Sequence, residues 1–103
     1  SLYVQDQAAH RLEALPEYLK ELAGAAAFLG NSAQQTALLT AANFAQNRLN
    51  QNLALDAEQV NCILNVVAGL DLLVDNLKNK QPVLQSMFDV ALSSSQQLQN
   101  IAA

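Results

Sequence analysis

Few residues in this chain have the types and spacing that catalysis or metal binding requires. The sequence contains one histidine, His10, and one cysteine, Cys62, and the two fall on different predicted helices. His10 and Glu13 could share one helix face, but a metal site needs three or four such ligands. No HExxH, CxxC, GxSxG or phosphate-binding glycine motif occurs. The sequence therefore predicts a protein that is not an enzyme and holds neither a metal ion nor a cofactor.

Charged residues near the amino terminus form the other conspicuous pattern. Glu13, Glu17 and Glu21 recur every fourth residue, so a continuous helix would present their carboxylates on one face. Lys20 stands beside Glu21 and three residues after Glu17. Two interpretations stay open for this face, a solvated surface and a docking surface for a partner protein.

Composition limits the remaining classes of protein. The chain has 103 residues, of which 51% are hydrophobic and only 14% charged, which fits one folded domain rather than a disordered segment. The net charge is −4 and the five basic residues are scattered, so we expect neither a nucleic-acid nor a membrane partner. A lone cysteine cannot form an internal disulfide, so Cys62 is expected to be a small buried hydrophobic residue in a cytoplasmic protein. Because Ser1 replaces an initiator Met, we expect a piece of a longer protein.

The clearest predicted helix runs over Ala57–Lys78. Asp56 and Gln59 form a capping-box pattern at its start, and apolar residues then recur every three or four positions. The predicted inward stripe has six members: Val60, Ile63, Val67, Leu70, Val74 and Leu77. Four more apolar residues widen this stripe: Leu64, Val66, Leu72 and Leu73. They predict a central helix that is buried on more than one side.

Other helices are predicted on both sides of this one. Ser32 and Gln35 suggest a capping box that opens a helix over about 33–50, with an alanine-rich inward stripe. Pro82 fits the first turn of a final helix. Its predicted inward residues include Leu84, Met87 and Phe88.

Pro16 complicates the amino-terminal third, because proline in a helix interior removes a hydrogen bond and collides with the preceding turn. We therefore predict a short first helix over 3–14 and a second over 16–29. Short connections between long helices make sequential neighbours antiparallel. The expected fold is a single all-α domain over residues 1–103, an up-down antiparallel four-helix bundle with a short extra N-terminal helix.

Residues 20–30 have the sequence Lys-Glu-Leu-Ala-Gly-Ala-Ala-Ala-Phe-Leu-Gly. This segment resembles the signature helix of histidine phosphotransfer domains, especially those of chemotaxis-type histidine kinases. That family has a histidine, one variable residue, Leu or Ile, Lys and Gly, then small residues, and then Phe, Leu or Phe, and Gly. Leu22, Gly24 and the final Phe28-Leu29-Gly30 fit the pattern. The similarity covers residues 17–78, because the next two predicted helices match the family in order and length.

Three chemical positions of that family are changed here. Lys20 stands where the family has its phosphate-accepting histidine, and Ala23 stands where a lysine follows it. The carboxylate that orients the histidine would fall near Ala42. A protonated lysine has no free lone pair with which to attack a phosphoryl group. The resemblance therefore implies a degenerate, non-catalytic domain, like those of twitching-motility and chemosensory scaffold proteins.

The resemblance also implies a docking surface for a signalling protein, with a response-regulator receiver domain as the expected partner. Its expected members are Lys20, Glu17, Glu21, Ala23 and Gly24. One alternative is a structural helical module that forms a homodimer through its alanine-rich faces, with Leu22, Phe28 and Leu38 uncovered. Another is an active phosphotransfer domain that uses His10, because Ala8-Ala9-His10-Arg11-Leu12 also imitates the motif.

Overall fold

Over the residues that it describes, the computed structural model contains four α-helices. They are α1 (Leu2–Phe28), α2 (Ser32–Asn50), α3 (Ala57–Lys78) and α4 (Asp89–Ala102). The structure describes the backbone of residues 2–82 and 89–102, and the side chains of residues 13–82 and 89–100. That backbone contains helices and turns but no strand, which confirms the all-α class. The predicted inward residues Leu84, Met87 and Phe88 lie outside the described residues.

The first helix is continuous, although Pro16 lies inside it. The prediction of a short extra helix that ends before Pro16 is therefore wrong. An interior proline usually costs a helix about 3 kcal/mol. Here the ring of Pro16 is buried, on the same face as Leu19, Ala23 and Ala26, and α1 packs chiefly against α2. Burial of the ring in this helix pair offsets part of the penalty and keeps the helix in one piece.

The second helix begins one residue earlier than predicted. Its N-cap is Asn31, whose Oδ1 accepts a hydrogen bond from the Gln34 backbone N–H at 2.9 Å, so the prediction of Ser32 as the cap is wrong. Gly30 has a φ of +80°, and this turn lets Asn31 take the extended conformation of a cap. The alanine-rich inward stripe of α2 is confirmed, since Ala41, Ala42 and Ala45 are buried around Leu38.

The bounds and cap of α3 agree with the prediction. Asp56 Oδ1 accepts from the Gln59 backbone N–H at 2.8 Å, and Gln59 Oε1 accepts from the Asp56 backbone N–H at 3.0 Å. These two bonds form a complete capping box. The helix therefore begins where its local sequence specifies.

The buried face of α3 is rotated relative to the predicted stripe. Ile63, Val66, Leu70 and Leu73 are buried as predicted. Four other predicted residues are between 38% and 58% exposed, so the prediction of burial on more than one side is wrong for them: Val60, Leu64, Leu72 and Leu77. Polar and small residues take their place, so the buried set is Gln59, Cys62, Ile63, Val66, Gly69, Leu70, Leu73 and Asn76. This part of the prediction is wrong because it counted only apolar residues.

The seam between α3 and α4 contains two small members of the buried set, Cys62 and Gly69. Contacts across it include Cys62 to Gln97, Asn65 to Ser94, and Gly69 to Ala91. The Cys62 Sγ donates to Gln97 Oε1 at 3.2 Å, and Asn65 Nδ2 donates to Ser94 Oγ at 3.3 Å. Since residue numbers rise along α3 while they fall along α4, these two helices run antiparallel.

The first three helices end in the same way, with a residue in the left-handed region of φ. These residues are Gly30 at +80°, Asn52 at +57° and Lys80 at +55°. At the end of α1, the backbone N–H of Asn31 donates to the Ala26 carbonyl at 3.0 Å, and that of Gly30 donates to Ala27 at 2.9 Å. The same pair of bonds recurs after α2 and α3, so each end is a Schellman motif.

Only α2 packs substantially against all three of the other helices, and α1 makes little contact with α3. The described part of the molecule measures 46 × 29 × 20 Å. A thickness of 20 Å corresponds to two layers of helices, because packed helix axes lie about 8–10 Å apart. The helices therefore keep outward faces that no other described helix covers.

Candidate functional site

Four of the five predicted docking residues lie on the outward face of α1. The side chains of Glu17, Lys20 and Glu21 are exposed, and so is Gly24. A Cβ atom placed on Gly24 would meet no other atom within 4 Å. The backbone of α1 is therefore bare beside the ammonium group of Lys20, and a partner could approach it closely.

The fifth predicted residue, Ala23, does not belong to this surface. It is 1% exposed and packs in the core with Leu19 and Ala26. Successive residues of a helix are turned by about 100°, so Ala23 is rotated away from Gly24 toward the side of Leu19 and Ala26, and its methyl group faces the core although it lies only one turn after Lys20. Its inclusion in the docking surface is corrected on this ground.

The structure adds Phe28, which is 91% exposed at the end of α1. The homodimer alternative expects Phe28 to be uncovered, and at this residue the structure agrees. Phe28 follows Gly24 by one helical turn, and helical side chains lean toward the amino terminus, so the ring extends from the same face as Gly24. The exposure of Phe28 could have been predicted from the buried stripe of Pro16, Leu19 and Ala23. The spacing of three and four residues along this stripe does not include position 28.

This face has the chemistry of a protein-binding surface. An aromatic ring offers a large apolar area, and aromatic residues are enriched where proteins bind each other. On the same face, about two to three turns before the ring, lie one ammonium group, on Lys20, and two carboxylates, on Glu17 and Glu21. These charges would restrict the partners that can bind.

The other positions that the resemblance singled out lie elsewhere. Ala42 is fully buried in α2 and carries no group that could orient a histidine. His10 lies in α1, but its side chain is outside the described residues. Of the residues named as uncovered in the homodimer alternative, Leu38 is fully buried and Leu22 is half-buried, which leaves Phe28 as the exposed member.

Cys62 is buried in the seam between α3 and α4, as expected for a small hydrophobic residue. Its burial, together with the negative charges of Glu58 and Asp56, raises the pKa of the thiol above its ordinary value. A nucleophilic cysteine needs the thiolate form, which an environment of this kind disfavours. The position of Cys62 is therefore that of a structural residue.

Two further features bear on binding. Among the side chains that the structure describes, no group of three or more His, Cys, Asp or Glu residues could hold a metal ion. A shallow groove of about 200 Å³ lies between α3 and α4, lined by Asn65, Ala68, Gly69, Leu72, Val90 and Ala91. Its lining is mostly apolar and contains no acid, base or nucleophile.

Comparison with protein-family models, with curated proteins and with solved structures finds no match to this chain. The functional argument therefore rests on the residues themselves.

Proposed function

We propose that this chain is a non-catalytic docking domain in two-component or chemosensory signalling. In this proposal the helices form an up-down antiparallel bundle like that of histidine phosphotransfer domains, and a receiver domain binds to α1. The binding site is the α1 docking surface, defined as Glu17, Lys20, Glu21, Gly24 and Phe28. The observation that carries the proposal is Phe28, whose ring is 91% exposed one turn from the bare backbone of Gly24.

The exposed ring supports a binding role on energetic grounds. Removing a phenylalanine side chain from water is worth about 1.5–3 kcal/mol. The domain forgoes that stabilisation by leaving Phe28 exposed, whereas Leu19 and Ala23 on the same helix are buried. A partner that covers Phe28 gains this free energy, so the ring would be the main apolar anchor of the complex.

Charge supports a receiver domain as the partner. The resemblance implies a receiver whose acidic pocket approaches the helix beside the glycine. Lys20 would bring its ammonium group to that pocket at the position where an active domain has its histidine. Since a Cβ on Gly24 would meet nothing within 4 Å, the backbone there leaves room for a close approach. An ion pair desolvated in such an interface gives specificity and orientation.

The proposal can be tested by calorimetric titration of the domain with receiver domains from the same organism. We expect Phe28→Ala to weaken binding by about 10- to 100-fold, the equivalent of burying one ring. Lys20→Glu should also weaken binding, because it places a carboxylate against the acidic pocket. Tyr18→Ala is the matched control, since Tyr18 is an aromatic on the same helix that is 52% exposed on another side.

Three results would overturn this proposal. One is that no receiver domain binds, and a second is that Tyr18→Ala weakens binding as much as Phe28→Ala does. The third concerns phosphate: after incubation with acetyl phosphate and a receiver domain, we expect no acid-labile phosphate on the domain. Labelling that disappears in His10→Gln would instead establish active phosphotransfer through His10.

A further inference from the structure

The last helix, α4, is attached to the rest of the molecule mainly by small and polar side chains. Among its described side chains, those of residues 89–100, four are buried: Ala91, Ser94, Ser95 and Leu98. Of these four, only Leu98 belongs to the cluster of buried residues that forms the hydrophobic core, whereas α3 contributes five residues to it. Because stabilisation by burial is roughly proportional to the apolar area removed from water, these α4 side chains contribute little to holding the helix in place.

The third helix presents different surfaces to α2 and to α4. Toward α4 it presents small and polar residues, Cys62, Asn65 and Gly69. Its large buried side chains lie in the core cluster together with the buried residues of α2: Ile63, Val66, Leu70 and Leu73. The packing of α3 on α2 therefore does not depend on the seam with α4.

The buried amide of Gln34 disfavours the closed seam. Its side chain is fully buried, and its Oε1 has no conventional hydrogen-bond partner. A Cβ atom built on Gly69 would contact both this oxygen and the Cβ of Ala91, so Oε1 lies close to the point where α4 meets α3. A buried acceptor without a partner destabilises the state in which it is buried. Movement of α4 away from Gly69 would let water reach this oxygen and relieve that cost.

We propose that α4 is a displaceable strap, which undocks reversibly from α2 and α3 while α1, α2 and α3 stay folded. The two hydrogen bonds of the seam, from Cys62 to Gln97 and from Asn65 to Ser94, are then exchanged for bonds to water, so their loss costs little. With 14 residues, α4 is near the length at which an isolated helix is only marginally stable, so it loses much of its helical structure on release. The open form exposes the α3 side of the seam to solvent.

Cys62 reports on this opening, because its thiol is buried in the seam and bonds to Gln97 of α4. Iodoacetamide should alkylate Cys62 of the native protein through the open form, and mass spectrometry of the 11.1 kDa chain measures the rate. Release of one helix exposes much less surface than unfolding of the domain, so the rate should change little over the first molar of urea. A rate that rises about fivefold or more per molar of urea, as unfolding of the whole domain requires, would overturn the proposal.

Two matched variants locate the opening. Leu98 in α4 and Leu19 in α1 are both fully buried, so alanine leaves a cavity at either position. Leu98→Ala should accelerate the alkylation of Cys62 about 30-fold or more, because it weakens the hold of the core on α4. Leu19→Ala should leave the rate unchanged, since Leu19 stays buried when α4 is released. The proposal fails if Leu98→Ala has no effect, or if Leu19→Ala accelerates the alkylation equally.

Hydrogen exchange of the parent chain tests the same opening without a substitution. The amides of α4 should be protected about tenfold or more less than the central amides of α1 and α2, because they exchange through the open form. Equal protection of all four helices would show that α4 is released only when the whole domain unfolds.

The strap and the proposed docking function fail separately. Over the described residues α4 makes at most slight contact with α1, so Leu98→Ala should bind a receiver domain as the parent chain does. Phe28→Ala should leave the alkylation rate of Cys62 unchanged. Absence of receiver binding would overturn the docking function and not the strap, whereas equal protection of all four helices would overturn the strap and not the docking function.

Discussion

Gly69 should be the least replaceable glycine in this chain. It lies where α3 meets both α2 and α4. A Cβ atom at this position would overlap Oε1 of Gln34 and lie 3.0 Å from the Cβ of Ala91. Alanine at position 69 would therefore have to displace the Gln34 side chain.

Gln34 has little freedom to move. Its side chain is fully buried, and Nε2 donates a hydrogen bond of 2.6 Å to the carbonyl oxygen of Val66. Its Oε1 is buried without a conventional hydrogen-bond partner. Gly69 has a Cα hydrogen where any other residue would have its Cβ. This hydrogen points toward Gln34 Oε1 and makes a weak C–H···O contact with it. A methyl group would replace that contact with a steric clash.

The expected change in the free energy of unfolding on Gly69→Ala follows from three contributions. Overpacking a core position costs about 1–3 kcal/mol. Loss of the Gln34–Val66 hydrogen bond costs about 1 kcal/mol more. Alanine in place of glycine stabilises a helix by about 1 kcal/mol, which offsets part of this cost. We therefore expect Gly69→Ala to lower the free energy of unfolding by about 1–3 kcal/mol, which lowers Tm by at least 4 °C or so in a domain of this size.

Gly24→Ala is the control, because it makes the same change inside a helix with open space around the new methyl group. It should stabilise the domain by about 0.5–1 kcal/mol. Urea unfolding followed by circular dichroism measures both variants. Gln34→Ala should remove most of the penalty of Gly69→Ala in a double-mutant cycle. The reasoning is refuted if Gly69→Ala is as stable as the parent chain, or if its penalty is unchanged in the Gln34→Ala background.

Three further predictions concern caps and titration. Lys80→Gly should stabilise the domain by about 0.5–1 kcal/mol in urea unfolding, because Lys80 has a φ of +55° and glycine adopts that region without strain; an unchanged midpoint would contradict this. Asp56→Ala should destabilise the domain by about 0.5–2 kcal/mol, since it removes the hydrogen bond to the Gln59 backbone at the start of α3. Asp56→Asn should lower the free energy of unfolding much less, because asparagine also caps helices. The raised pKa of Cys62 should make stability fall as the pH rises above 9.0, the ordinary value: below it the thiol is protonated in both states, and above it only the unfolded state ionises freely. Unfolding midpoints between pH 7 and 10.5 measure this fall, and Cys62→Ala should abolish that part of it.

Features that depend on neighbouring residues in the sequence could be predicted without the structure. The start of α3 is the best example, because Asp56 and Gln59 satisfy each other's backbone groups and need no distant partner. The alanine-rich stripe of α2 was also predictable, since it repeats at helical spacing and contains almost no competing polar residue. Both are consequences of local geometry.

Features that depend on a distant partner could not be predicted. Gln59 and Asn76 are buried in α3 while Val60 and Leu77 are exposed. Asn76 Nδ2 donates to the Pro82 carbonyl at 3.4 Å, and across the seam with α4 Asn65 and Cys62 bond to Ser94 and Gln97. An apolar stripe predicts which side of a helix is buried only when the facing helix is apolar too. Counting hydrophobic residues along α3 therefore gave the right helix with the wrong rotation.

The errors on α1 have a single origin, and they concern the residues on which the proposed function depends. Breaking the helix at Pro16 removed Pro16 from the buried stripe, and the stripe could then no longer fix the rotation of residues 17–28. Once Pro16 is placed in the core with Leu19, the spacing of three and four continues to Ala23 and excludes Phe28. The family resemblance had supplied an order of residues but no rotation, so it placed the buried Ala23 among the surface residues. Burial of one proline ring thus determines which side chains α1 presents to a partner.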